Sequence, residues 1–249
     1  LFAGSSERVN ARENHMGEGY GFSARAVWRP INTDQTTVHF GFSAVARTPE
    51  RVTSDDGIVV LGGRSGSVVE NRKFVAGGFS GIDHYTICDL EAAYRDDRFF
   101  VQGEALCSTF ATKERPGVIT NGEKTYNIDG SESVSFWGGY LVGSYMLRGK
   151  QRSYSNSGAV FSNVNNEVEP GGNVELMIGA SAIDTQGYMG QAYEALGAVN
   201  WYPNTAMMLG LSYTFTSFSK DAVALGRLRS NSGDGLSYHT LQLRAQFVF

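Results

Sequence analysis

Apolar and polar residues alternate with a period of two along most of the chain, and a helical period is nowhere sustained. In residues 20–31, for example, Phe22 and Trp28 fall on one face of the predicted strand, whereas Arg25 and Arg29 fall on the other. Successive side chains of a β-strand point to opposite faces of its sheet. The alternation therefore predicts an all-β chain whose sheet has one apolar face and one polar face.

The alternating segments predict about 11 strands, separated by turns and loops that are rich in polar residues and glycine. They span residues 1–5, 20–31, 37–47, 58–65, 84–95, 99–112, 134–148, 174–184, 193–202, 207–218 and 238–249. The separators 113–132 and 219–237 are long and polar, and no change in composition marks a domain boundary. We therefore expect residues 1–249 to form a single domain.

Two architectures accommodate such strands: a transmembrane antiparallel β-barrel whose apolar face meets lipid, and a soluble β-sandwich whose apolar face meets a second sheet. The predicted strands are about 10–12 residues long, which suits a tilted bilayer crossing better than an ordinary soluble strand. A sandwich would also bury the charges of Arg25, Arg47 and Glu104, which costs free energy. The barrel is favoured, and a sandwich that serves as a binding module is the alternative.

Composition agrees with a barrel once the two faces are considered separately. The 249 residues include 31 Gly and 18% charged residues, and the mean hydropathy is −0.23. In a barrel, the mean hydropathy is an average over an apolar and a polar face, so it is mildly negative. The sequence has no apolar run that is long enough for a transmembrane helix. The net charge of −4 and the absence of a Lys/Arg-rich run argue against nucleic-acid binding. No spacing typical of a catalytic, metal or cofactor site occurs, so we expect neither an enzyme nor a cofactor.

Several segments resemble the phosphate-selective porins O and P of Gram-negative outer membranes. The most specific are LGAVNWYPN, which is similar to the penultimate turn of that family, and LQLRAQFVF, which is similar to its closing strand. The resemblance extends over essentially the whole chain, in segments 20–30, 142–154, 174–181, 196–204 and 241–249.

The resemblance implies a diffusion channel of the bacterial outer membrane that carries small anions such as phosphate or polyphosphate. It further implies a sixteen-stranded barrel that assembles as a homotrimer and contacts outer-membrane lipid and lipopolysaccharide. Against sixteen strands, the count of about 11 leads us to expect that the N-terminal strands of the barrel are missing from this sequence.

The resemblance also gives an expected orientation, because the terminal Phe249 of such a porin lies at the periplasmic rim. Counting strands back from it places the turns at 96–97 and 203–204 on the periplasmic side. The long segment 149–173 falls on the same side, and its unusual length there suggests that it folds back into the barrel. The expected extracellular loops are 66–82, 113–132 and 219–237. By resemblance, 66–82 bends into the lumen and narrows the pore.

An anion channel needs Arg and Lys side chains that project from the inner wall into water. The candidate pore-lining and anion-binding residues are Arg25, Arg29, Arg47, Arg64, Arg72, Lys73 and Arg244. Arg25 and Arg29 share a face, and Arg47 and Arg64 on the next two predicted strands extend the row. Arg72 and Lys73 lie on 66–82 and are the candidates for the constriction.

Each arginine has an alternative role as a wall residue paired with a carboxylate, for which Glu91, Glu104 and Glu175 are available. The net charge of −4 offers no basic surplus for strong anion binding. A general porin without a phosphate site is therefore the alternative to a phosphate channel.

The two cysteines, Cys88 and Cys107, are predicted to lie on adjacent strands and on the apolar face. A cross-strand disulfide and two unbonded, lipid-facing thiols both fit this placement. The sequence leaves both open because it does not fix the register of the two strands.

Overall fold

The structure is a computed structural model that describes residues 20–49, 51–53, 56–57, 59–64, 73–112, 117–121, 124–128, 133–162, 164, 167–220, 222 and 235–247. Within 51–80 and 117–128 it describes the backbone alone. All described strand pairs are antiparallel. No helix in these residues is long and apolar enough to cross a membrane.

The described residues form seventeen strands, numbered here in chain order. They are β1 (Gly21–Asn32), β2 (Thr37–Arg47), β3 (Arg51–Thr53), β4 (Asp56–Gly57), β5 (Val59–Arg64), β6 (Lys73–Ser80), β7 (Ile82–Arg95), β8 (Phe99–Thr112), β9 (Gly117–Asn121), β10 (Lys124–Ile128), β11 (Ser133–Arg148), β12 (Tyr154–Ser155), β13 (Val160–Phe161), β14 (Asn173–Asp184), β15 (Gln191–Asn204), β16 (Met207–Phe218) and β17 (Leu236–Phe247).

Nine long strands make one sheet in the order β1-β2-β7-β8-β11-β14-β15-β16-β17, with β1 and β17 at its edges. The eight short strands form a four-stranded sheet, β10-β9-β6-β5, and the pairs β3-β4 and β12-β13. The predicted antiparallel all-β architecture is confirmed, although the nine-stranded sheet does not close on itself in the described residues.

Ten of the eleven predicted strands fall on described residues, and each of the ten coincides with an observed strand. The eleventh, 1–5, lies outside the described residues. The predicted strand 58–65 corresponds to β5, which lies in the four-stranded sheet instead of the large one. The prediction of uninterrupted loops at 66–82 and 113–132 is wrong, because β6, β9 and β10 lie within them.

The large sheet has two chemically different faces, as the alternation predicts. The apolar face carries Phe22, Trp28, Phe42, Leu90, Leu141, Ile178, Val199, Leu211, Leu241 and Leu243, all of them exposed. Leu243 is 84% exposed and Ile178 72% exposed, so nothing in the described residues covers this face. The charged face carries Arg25, His39, Glu91, Arg95, Gln102, Glu104, Glu175, Asn200 and Arg244.

The described apolar cores lie on the charged face, one at each end of the strands. One cluster includes Tyr85, Phe110, Phe136 and Phe218. The other includes Met146 and Tyr202 together with two valines of the segment that precedes β14. The alternation did not predict these clusters, because only loops that fold over the sheet give those apolar side chains a partner.

The connections between neighbouring strands alternate between the two ends of the strands, as antiparallel pairing requires. The turns 33–36, 96–98 and 205–206 and the long connection 149–172 lie at one end of the strands. The connections that contain 113–132, 185–190 and 219–235 lie at the other. The expected grouping of turns and loops by parity is therefore confirmed.

The tight turn between β7 and β8 is held by Asp96. Its Oδ1 accepts hydrogen bonds from the backbone N–H groups of Arg98 (2.9 Å) and Phe99 (2.7 Å). Burial acts to raise the pKa of Asp96, but these N–H donors and the Tyr94 hydroxyl outweigh it and hold the pKa below its usual range. The turn is therefore stabilised above the ordinary aspartate pKa and loses that stabilisation as pH falls through the lowered value.

Replacing Asp96 by alanine is expected to lower the free energy of unfolding by about 1 kcal/mol at pH 7, because two N–H groups lose their acceptor. Urea unfolding of the protein folded in lipid vesicles measures the change. Asp96→Asn is the matched control, since it keeps the acceptor and removes the titration. The advantage of wild type over Asp96→Ala should shrink below about pH 4; equal unfolding midpoints at pH 7 would contradict this role.

Candidate functional site

The candidate site lies where residues 149–172, called here the covering segment, pack on the charged face. The segment leaves the sheet after β11 and returns as β14. In its middle, β12 and β13 form a short hairpin in which Tyr154 pairs with Phe161. The two rings meet edge to face, with centroids 4.8 Å apart. The described residues of this segment therefore fold back over the charged face of the sheet, which agrees with the expectation that 149–173 folds back into the barrel.

Arg25 links the first strand of the sheet to Glu91 on β7. Its Nη2 lies 2.5 Å and its Nε 3.0 Å from Oε1 of Glu91, and Nη2 also donates to the carbonyl of Ala159 (3.3 Å). His39 on β2 brings its Nε2 within 3.1 Å of the same carboxylate oxygen. The positive charge of Arg25 is therefore offset by Glu91, and both groups lie under the covering segment.

His39 also connects the wall to the covering segment. Its side chain is 4% exposed, and its Nδ1 lies 2.7 Å from the hydroxyl of Tyr154. Burial raises the pKa of Tyr154, so this hydroxyl stays protonated. Because the Glu91 carboxylate only accepts, the contact at Nε2 needs a proton on that nitrogen, and the tautomer with this proton lets Nδ1 accept from Tyr154. The two bonds fix the orientation of the imidazole.

Arg29 contacts the tip of the hairpin in the covering segment. Its Nη1 donates to Oδ1 of Asn156 (2.8 Å), and its guanidinium lies 5.5 Å from the centroid of the Tyr154 ring. Asn32 donates to the same Asn156 oxygen (2.8 Å). Arg29 thus has neutral partners among the described residues, in contrast to Arg25.

Glu175 on β14 anchors the N-terminal part of the covering segment through Arg152, and its side chain is fully buried. It accepts hydrogen bonds from Arg152 Nη2 (2.7 Å), the Tyr202 hydroxyl (2.8 Å) and Asn200 Nδ2 (3.2 Å). The Arg152 guanidinium also lies 4.3 Å from the centroid of the Phe100 ring. A buried carboxylate is tolerated because a cation and two further donors satisfy it.

A cavity of about 230 Å³ separates the covering segment from the charged face. The charged and titratable side chains that line it are Arg25, His39, Glu91, Glu104 and Arg152. Glu104 accepts from the Tyr140 hydroxyl (2.5 Å) and from Gln102 Nε2 (3.1 Å), and no cation contacts it in the described part of the chain. Two arginines thus meet two glutamates, and the cavity has no basic surplus.

Two of the seven predicted pore residues, Arg25 and Arg29, lie together at this site. Two others lie on the charged face but apart from it. Arg47 is at the far end of β2, opposite Tyr85, and Arg244 is exposed on β17, opposite Gly210. The row of arginines expected along neighbouring strands is therefore limited to β1 in the neighbourhood of the covering segment.

The remaining three predicted residues belong to the region between β2 and β7. Arg64 does not extend the row from Arg47, because the strand next to β2 is β7 and β5 pairs with β6 in a separate sheet. A local hairpin satisfies the backbone of β5 and β6 and takes both out of the wall. Lys73 begins β6, opposite Arg64, instead of lying in a loop. Arg72 lies outside the described residues, and so does the rest of 65–72.

Sequence reasoning missed Arg152, Tyr154 and Asn156 as site residues. They lie in a segment without alternation, so no pattern assigned them a face. The one available signal was the length of the segment, which is hard to explain for a plain turn between antiparallel strands.

Cys88 and Cys107 are directly opposite each other on β7 and β8 and lie on the apolar face. Both thiols are unbonded in the structure. Of the two alternatives left open by the sequence, the structure contains the unbonded pair.

Comparison with known proteins identifies the family of this two-faced sheet. A search of curated proteins finds no match to the chain. The sequence profile named phosphate-selective porin O and P matches residues 1–249, which is the whole chain. The chain therefore belongs to the phosphate-selective porin O and P family.

Proposed function

We propose that this outer-membrane porin lets small hydrophilic solutes diffuse along the charged face of its sheet, which lines a water-filled lumen, while the apolar face meets lipid. The observation that carries the proposal is the separation of the two faces. Nine long strands expose Leu, Ile, Phe and Trp on one side and carry Arg, Glu and Gln on the other. Porin membership implies a channel in place of an enzyme. The edges β1 and β17 would pair with further strands in a closed barrel.

The proposal includes a preference for anions, with phosphate or polyphosphate as the solutes suggested by the family name. Arg29 and Arg244 support it, because neither has a carboxylate partner among the described residues. We further propose, on the resemblance alone, a homotrimer in contact with outer-membrane lipid and lipopolysaccharide.

A second candidate is a general porin without a phosphate site. It is favoured by the pairing of Arg25 with Glu91 and of Arg152 with Glu175, which offsets both arginines of the cavity. Reversal potentials in a KCl gradient across a planar bilayer, repeated with millimolar phosphate, distinguish the two candidates. A cation-selective channel would contradict the anion preference, and a chloride current that phosphate leaves unchanged would favour the general porin.

Replacing Arg29 by glutamine is expected to lower the chloride-to-potassium permeability ratio about threefold, the effect of one unit charge a few ångströms from the ion path in water. The reversal potential of the variant measures the ratio. Arg98→Gln is the matched control, since the Arg98 side chain is exposed in the turn at 96–98 and the covering segment contacts its backbone carbonyl, through Gln151, which the substitution leaves in place. Equal ratios for wild type and Arg29→Gln would remove Arg29 from the ion path.

A further inference from the structure

Glu91 occupies the edge of the Arg25 guanidinium that a phosphate would use. A guanidinium binds phosphate or carboxylate through pairs of parallel N–H groups, and Nε with Nη2 forms one such pair. Both of these atoms of Arg25 donate to Oε1 of Glu91, at 3.0 and 2.5 Å. The third contact, from Nη2 to the Ala159 carbonyl, uses the outer edge of the same nitrogen. Arg25 lines the cavity, but these contacts use the N–H groups of Nε and Nη2, and only Nη1 keeps donors without a partner among the described residues.

Gly41 makes this pairing possible. Glu91 on β7 and Arg25 on β1 are separated by β2, on which Gly41 is the residue directly opposite Glu91. A Cβ placed at Gly41 would overlap the Glu91 carboxylate and its Cγ and Cδ atoms. The Glu91 side chain therefore crosses β2 over the bare backbone of Gly41 to reach Arg25. Any side chain at this position would displace Glu91 from the arginine.

Glu104 lies beside this pair but does not share its role. It is directly opposite Glu91 across β7 and β8 and lines the same cavity. Its carboxylate is held by neutral donors, Tyr140 and Gln102. Removing the charge of Glu104 therefore changes the local potential without releasing an arginine.

We propose that Glu91 is a specificity-determining residue of the pore: by filling the donor edge of Arg25 across Gly41, it withholds this arginine from phosphate. The inference rests on the proposed function, and it adds to that function a role for Glu91, which limits anion binding at Arg25. Its consequence is that Arg25, although it lines the cavity, contributes little to phosphate binding as long as Glu91 is paired with it.

The test is the block of the chloride current by inorganic phosphate, measured with the purified porin in planar bilayers. In Glu91→Gln, phosphate should block at a concentration at least about threefold lower than in wild type, because a charge-assisted pair is replaced by a weaker one. Gly41→Ala should produce a shift in the same direction without any change in net charge. The double variant Arg25→Gln/Glu91→Gln should lose the gain.

Glu104→Gln is the matched control, because it removes one negative charge from the same cavity and frees no arginine. Equal shifts in Glu91→Gln and Glu104→Gln, with none in Gly41→Ala, would overturn the proposal in favour of a general charge effect. No shift in Glu91→Gln, or a shift that persists in the double variant, would also overturn it. The chloride current in phosphate-free solution reports whether each variant folds, and a wild-type protein that conducts no ions would contradict the proposed function itself.

Discussion

Replacing Arg152 by methionine is expected to detach the covering segment from the wall. Glu175 is fully buried, and Arg152 is its only cationic partner in the described part of the chain. Removing one partner of a buried ion pair costs about 3–5 kcal/mol, because the remaining charge is left uncompensated. The ladder bonds of β14 hold Glu175 in place, so the strain is relieved by release of the segment and entry of water.

Release of the segment is measurable by chymotrypsin cleavage after Tyr154 and Phe161 and by the single-channel conductance, both of which should increase. Lys150→Met is the matched control, since Lys150 is exposed in the same segment. The double variant Arg152→Met/Glu175→Gln should recover much of the protection, because it removes the buried charge as well. Unchanged cleavage in Arg152→Met would show that this pair does not anchor the segment.

Replacing Leu241 by arginine is expected to destabilise the protein in a bilayer by about 2–4 kcal/mol, the cost of an arginine on the lipid face of a barrel near the midplane. Leu241 is 73% exposed at the middle of β17, on the apolar face. The effect should be largest in lipid vesicles and smaller in a detergent that hydrates the substituted side chain. Urea unfolding in both environments measures it.

The neighbouring change Gln242→Arg is the matched control, because Gln242 precedes Leu243 on the same strand and lies on the charged face. An arginine there meets water and should cost less than 1 kcal/mol, the usual range for an exposed substitution. Equal losses for the two variants would contradict the assignment of the apolar face to lipid and would favour the soluble sandwich.

The covering segment adds side chains of its own to the charged face that carries the candidate anion-binding arginines. It brings Arg152 and the hairpin of β12 and β13 over the strands that carry Arg25, Arg29 and Glu91. If the wall selects anions as proposed, selectivity in this region depends on which arginines keep free N–H donors, in addition to how many arginines the wall contains. The Glu91 variants test whether Arg25 is withheld from phosphate, and the Arg152 variants test whether the covering segment is anchored to the wall.

The long strands were predictable because period-two alternation is a local property of the chain. β2, β8 and β16 begin and end at the predicted residues. The short strands β9 and β10 were missed, since they lie in polar stretches where alternation is weak. β5 was found as a strand but assigned to the wrong sheet, because alternation does not specify which partner a strand takes.

The sequence by itself determined an all-β chain, the two faces of its sheet and the family to which it belongs. Only the tertiary structure decided that Arg25 pairs with Glu91, 66 residues away, and Arg152 with Glu175. The physical reason is that a face follows from the alternation within one strand, whereas an ion pair depends on the register between strands and on the path of the covering segment. Neither of these has a periodic signature in the chain.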